Sequence, residues 1–171
     1  MNLIMASTSK VYGYDYLAYL KEPLKELFTN AKEILFIPFA RPGGMTHQEY
    51  TDKAKEGLSF LNKKVVGLHE KSDKKKAVQE AEAIFTGGGN TFLLVKKLYE
   101  FELIRALKTA VLSGTPYLGT SAGSNICGLT MSTTNDMPIV YPPSFKTMGL
   151  IPFNVNVHYL DPEPNSKHQG E

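Results

Sequence analysis

Hydrophobic residues fall into two alternating patterns along this chain: short runs that are apolar at every position, and longer stretches in which apolar residues recur every three or four. "NLIMAS" is the first run and predicts a strand, and "YDYLAYLKEPLKELF" after it predicts a helix interrupted at Pro23. "EILFIPFA" (33–40) predicts a second strand. A Pro-Gly-Gly loop at 42–44 and a helix over "THQEYTDKAKEGLSFL", with Thr46 as its N-cap, follow. "KVVGLHE" is a third strand, "KKKAVQEAE" a short helix, and "AIFTGGGN" a fourth strand running into glycines. "TFLLVKKLYEFELIRALKTAVLSG" is one long helix or two consecutive ones, and "TPYLGT" is the fifth strand. Strands without a polar face, separated by amphipathic helices, predict a mostly parallel sheet covered on both sides, hence a three-layer α/β/α sandwich. Sites in such sheets lie beyond the C-terminal strand ends. Two turns are expected there, "TGGGN" (86–90) and the one at Ser121.

Past residue 128 the alternation stops. "LTMSTTNDMPIVYPPSFKTMGLIPFNVNVHYLDPEPNSKHQGE" is rich in Pro, Thr and Asn, and predicts a loop-rich, site-forming region. Within it, "PFNVNVHYLD" sets Phe153, Val155, Val157 and Tyr159 against Asn154, Asn156 and His158. This predicts a strand with His158 on its polar face.

Composition narrows the class. At 171 residues, with 42% hydrophobic and 21% charged positions, one globular domain over 1–171 is expected, and disorder is not. No segment approaches the roughly 18 apolar residues of a membrane helix, and "MNLIMASTSK" lacks the charge and length of a signal sequence. A cytoplasmic protein without a membrane partner is expected. The "KSDKKK" run (71–76) reads as a solvated face rather than a nucleic-acid patch, because only two arginines, Arg41 and Arg105, occur and no aromatic residue interleaves the lysines. A single cysteine, Cys127, excludes an internal disulfide and a cysteine-based metal cluster. Neither a metal nor a cofactor is expected.

The candidate chemistry sits in "PYLGTSAGSNICG" (116–128). In G-x-S-x-G, a strand turns into a helix so sharply that bulky residues two positions before or after the serine would collide. Ser121 then projects its hydroxyl beside free backbone N–H groups and reads as a nucleophile, or else as an ordinary serine N-cap. Of the four histidines, His158 is the best base. Its orienting acid is Asp136, Asp161 or a group outside this sequence, and Asp136 also fits a turn acceptor. An oxyanion hole needs two preset donors. The N–H of Ala122 supplies one, and Gly89, in the only glycine loop beside a strand, the other. The same loop could cradle a phosphate, although "TGGGNT" lacks both the P-loop ending and the G-x-G-x-x-G spacing.

The segments "IPFA" (37–40), "EYTDK" (49–53), "FTGGGNTF" (85–92), "GTSAGSN" (119–125), "TTNDMPIVYPPSF" (133–145) and "NVHYLDP" (156–162) together resemble, in order, the S51 serine peptidases, the peptidase E or alpha-aspartyl dipeptidase family. The resemblance implies a cytoplasmic dipeptidase acting on short peptides with an N-terminal aspartate, folded as a class I glutamine amidotransferase-like α/β/α sandwich. Carried over, Ser121 is the nucleophile, His158 the base and Asp136 an acid at the site. Gly89 and Ala122 form the oxyanion hole, and Gly88, Asn90, Thr134 and Asn135 are substrate-binding positions. It also implies small-peptide substrates and a monomer or homodimer. Family members continue past the final "GE" with an arginine suspected of binding the aspartyl carboxylate and a glutamate that is a candidate third triad member. The chain is therefore expected to be C-terminally incomplete relative to the family. Arg41, beyond the second strand, reads as a surface charge or as a stand-in for that arginine. Two other readings stay open: a cyanophycinase-like peptidase of the same clan, and a catalytically impaired α/β domain.

Overall fold

A computed structural model describes residues 1–158. Five strands, β1 (Leu3–Ala6), β2 (Glu33–Ile37), β3 (Lys64–Gly67), β4 (Ile84–Thr86) and β5 (Tyr117–Thr120), form one sheet in the order β1-β5-β4-β2-β3. Every pairing is parallel. Among the described residues, six α-helices accompany them: α1 (Lys21–Leu27), α2 (His47–Gly57), α3 (Lys74–Gln79), α4 (Thr91–Glu100), α5 (Leu103–Leu112) and α6 (Ala122–Asn125).

The strands are apolar on both faces because both are covered. Leu35, Ile37, Ile84 and Tyr117 pack with residues of α3, α4, α5 and α6. Ile34, Phe36, Phe85 and Leu118 face the other way, onto Leu24 of α1 and Tyr50 and Ala54 of α2. The three-layer expectation holds. Register places Ala6 beside Thr120, and Thr86 beside Gly119, so the C-terminal ends of β1, β5 and β4 lie side by side where the site forms.

Local differences from the sequence expectation have physical causes. Pro23 does not interrupt α1; it sits in the first turn, where its missing N–H has no intrahelical partner to lose. The third strand stops at Gly67, and Leu68–Glu70 curl into a 3₁₀ turn whose Glu70 carboxylate accepts from the Gly67 N–H at 3.0 Å. The 91–112 stretch is two helices, parted by Glu102 in the left-handed region (φ 55°). Thr46 caps α2 in a full capping box with Glu49. Lysines of the 71–76 run pair with carboxylates, Lys71 with Glu33, Lys75 with Glu102 and Lys76 with Glu80. Among the described residues, no helix is long and apolar enough to cross a membrane.

Candidate active site

Between β5 and α6, Ser121 has φ 51° and ψ −113°, a conformation that side chains other than glycine rarely adopt and that costs on the order of 1–3 kcal/mol. The surrounding bonds impose it. The Ser121 N–H donates to the Ala6 carbonyl at the end of β1 (3.0 Å), and the Ser121 carbonyl accepts from the N–H groups of Ser124 (2.8 Å) and Asn125 (2.9 Å). The flanking glycines are steric requirements. A Cβ on Gly119 would strike the Gly123 carbonyl oxygen, and one on Gly123 would strike the Thr86 carbonyl oxygen of β4. The serine is thus an elbow residue and not merely a helix cap; its side chain caps nothing in α6.

His158 Nε2 lies 2.8 Å from Ser121 Oγ. The histidine reaches it without the predicted strand: 153–158 is irregular, and His158 itself has φ 64°. Side chains take the place of a ladder there. Asn125 and Thr133 both donate to the Val155 carbonyl (2.9 and 2.6 Å), Asn154 brackets Thr130 with two 2.9 Å bonds, and Val157 is buried. The His158 N–H donates to Ser7 Oγ at 2.7 Å. Since Ser7 follows Ala6, the end of β1 supports nucleophile and base together. Ser7 was not foreseen, because a serine after a strand carries no distinguishing pattern. Among the described residues, no carboxylate hydrogen-bonds the His158 ring; Asp161, one of the expected acids, lies outside them, as do Tyr159 and His168.

Asp136 is placed differently from the expected orienting acid. Its Oδ2 accepts from the Thr91 N–H (2.7 Å), the Thr91 hydroxyl (2.6 Å) and the Thr134 hydroxyl (2.9 Å). A carboxylate at the first residue of α4 satisfies an otherwise open N–H and complements the helix dipole. It ties the 133–137 loop to α4, as the Asn90 side chain does by donating to the Met137 carbonyl (2.7 Å) while capping Leu93 N–H (3.0 Å). A phosphate-cradling role for the glycine loop is disfavoured by the same carboxylate, which occupies the helix N-terminus with negative charge. Among the described residues, the Asn135 side chain hydrogen-bonds only Asn156, at 3.4 Å. We expect Asp136→Asn to lower unfolding stability by about 1–2 kcal/mol and kcat by less than about tenfold. An orienting acid would instead cost about 10⁴-fold, so steady-state kinetics with a denaturant titration distinguish the two.

The glycine loop runs directly past the serine. A Cβ on Gly88 would lie 2.9 Å from Ser121 Cβ, and Gly89, at φ 144°, has its α-carbon pressed against the Ala40 carbonyl, which also accepts the Asn90 N–H at 2.7 Å. Among the described residues, the N–H groups of Gly89 and Ala122 meet no acceptor. Ser121, His158, Gly88, Gly89 and Asp136 line a common cleft of about 360 Å³, together with Arg41, Tyr50 and Lys53. A larger hollow, about 870 Å³, lies against α5, but its lining contains no nucleophile and base in contact. Cys127, two residues past the end of α6, is fully buried, and burial pushes its thiol up to about 12, which leaves it protonated and unreactive. Among the described residues, no cluster of His, Cys, Asp or Glu could hold a metal ion.

Comparison with known proteins gives a consistent outcome. The family model described as "Peptidase family S51" matches residues 3–171. A Drosophila melanogaster protein named "Probable alpha-aspartyl dipeptidase" is 46% identical over 173 residues, covering 99% of this chain and 71% of that protein. A "Peptidase E" of Streptomyces coelicolor is 43% identical over 171 residues, covering 100% and 69%. In fold, a solved structure of a Listeria monocytogenes EGD-e protein superposes with a TM-score of 0.70 at 22% identity, over 90% of this chain and 76% of that one.

Proposed function

The chain belongs to peptidase family S51, and from that membership we propose that it is a serine dipeptidase that releases an N-terminal aspartate from short peptides through an acyl-enzyme on Ser121. The observation that carries this reading is the 2.8 Å contact of Ser121 Oγ with His158 Nε2 on a strained elbow. A serine hydroxyl becomes nucleophilic only when a base takes its proton as the bond to carbon forms. Here Oγ attacks the scissile carbonyl, and its proton passes to Nε2. The carbonyl oxygen, now negative, is held by the N–H groups of Gly89 and Ala122, whose positions are fixed before substrate arrives. Collapse of the tetrahedral adduct expels the amine, which leaves with the proton from Nε2. Water then repeats the sequence on the aspartyl ester, releases aspartate and restores the serine.

The substrate class is supported by relatives whose names denote aspartyl dipeptidase and peptidase E. A cytoplasmic location fits a lone, buried thiol. The test is direct. Asp-Leu should be turned over and Leu-Asp should not, and rapid acid quench followed by peptide mapping should find an aspartyl ester on the peptide containing Ser121. No turnover of any N-terminal-aspartyl dipeptide, or an acyl group elsewhere, overturns the reading.

A further inference from the structure

We propose that Ser7 is a positioning residue for the base: its hydroxyl, by accepting the His158 N–H, holds the imidazole in line with Ser121. The proposal rests on the serine-peptidase reading above. Ser121 and His158 stand 37 positions apart in the chain, yet Oγ and Nε2 meet at 2.8 Å. That distance has to be fixed across an irregular segment, and the dipeptide Ala6–Ser7 fixes it. The Ala6 carbonyl accepts from the Ser121 N–H (3.0 Å) and from the Ser124 hydroxyl (2.7 Å), which pins the elbow to the end of β1. One residue on, Ser7 Oγ accepts the His158 N–H at 2.7 Å. Nucleophile and base thus hang from adjacent residues of one strand end, and the covalent geometry between Ala6 and Ser7 sets their separation.

Little else holds the histidine. His158 is exposed, so packing does not wedge its ring in place. Among the described residues, the bonds that anchor the preceding chain end at the Val155 carbonyl, and neither the N–H nor the carbonyl of Asn156 or Val157 is hydrogen-bonded. The backbone of His158 is also left-handed, at φ 64°, a conformation unfavourable for any residue with a Cβ unless its surroundings enforce it. Release of the N–H lets φ return to negative values and swings the Cα–Cβ bond, and Nε2 with it, away from Oγ. A misplacement of about 1 Å is enough to cost on the order of 100-fold in rate. Substrate does not meet Ser7 itself, since the described residues lining the cleft include its neighbours Thr8 and Ser9 but not Ser7. Its effect therefore passes through His158, and falls on the rate and not on binding.

The experiment compares Ser7→Thr with Ser7→Val, which share a shape and differ in the hydroxyl. Ser7 is exposed, so both should unfold within about 3 °C of the parent; should Ser7→Val not fold, Ser7→Ala takes its place in each comparison. On Asp-Leu, Ser7→Val should lower kcat by about 30-fold with KM within about twofold, whereas Ser7→Thr should keep kcat within about threefold. In a His158→Ala background Ser7→Val should cost less than about twofold more, because no ring is left to position. Equal kcat for the Thr and Val variants overturns the proposal, as does an undiminished loss in the His158→Ala background. Two further readouts keep the proposal separate from the dipeptidase reading. A fluorophosphonate labels an activated serine whatever peptide the cleft accepts, and Ser121 should be labelled about 30-fold more slowly in Ser7→Val than in Ser7→Thr. Labelling of both at one rate overturns the proposal and leaves the peptidase reading standing. A parent that is not labelled and cleaves no peptide sinks the peptidase reading, and the position of the ring then decides. The nuclear Overhauser contact between the Ser121 β-protons and the His158 ring protons flanking Nε2 must be present in Ser7→Thr and lost in Ser7→Val, or the proposal falls as well.

Discussion

Ser121→Ala and His158→Ala will each lower kcat on Asp-Leu by about 10⁴-fold or more, and the double variant will be no slower than either. The non-additivity follows from geometry. With Oγ 2.8 Å from Nε2, proton removal and attack belong to one step, and removing either group abolishes it. What survives is the contribution of binding and of the N–H groups at Gly89 and Ala122, which neither substitution touches. Since the His158 backbone is held by Ser7 and the elbow by Ala6, neither alanine should change thermal unfolding greatly. Ser121→Ala has a favourable side to its ledger as well as a loss, because alanine suffers the same φ of 51° but leaves no hydroxyl to position. A double variant slower by a further factor of a hundred would show that the two side chains act in separate steps.

How far the sequence discloses this site depends on which interactions are local. The elbow is legible because its constraint is written within five residues: Gly119 and Gly123 are small for contacts with each other and with the neighbouring strand. The sheet is legible because burial on both faces demands continuous apolar runs. The Thr46 capping box is likewise local. His158 reaches Ser121 although 153–158 forms no strand: the alternation tracks burial only in part, with Val157 buried, Val155 half-buried and Phe153 58% exposed, and Asn125, Thr130 and Thr133 supply the bonds that a neighbouring strand would have given. Period-two patterning reports which side faces in, not whether a ladder exists. The placement of Asp136 depends on Thr91, 45 residues away, and that of Arg41 on Tyr50 and the Ala40–Asn90 bond. Such pairings arise only once β2, β4 and β5 are set side by side, and no spacing in the chain announces them.

Gly123→Ala tests the steric logic of the elbow most severely, and we expect it to lower stability by about 3 kcal/mol. The added Cβ would meet backbone, the carbonyl oxygen and carbon of Thr86 in β4, and not the yielding end of a side chain. Relief requires α6 to withdraw from the sheet. That movement would stretch the bond from the Tyr117 hydroxyl to the Gly123 carbonyl (2.9 Å) and the Ser124 hydroxyl's contacts with Ala6 and Gly119 (2.7 and 2.8 Å). For a domain of this size the penalty corresponds to a Tm lower by about 6–12 °C. It would also draw Ser121 out of line with His158 and with the Gly88–Gly89 loop, so kcat should fall with stability. Gly43→Ala is the control. Gly43 lies in an exposed loop with open space where a Cβ would stand and no positive φ, so alanine there should leave Tm unchanged or raise it slightly by restricting the unfolded chain. Equal melting of Gly123→Ala and its parent would mean that α6 can shift without strain. In that case the tight packing of Gly123 on β4 would not be what holds Ser121 in its conformation.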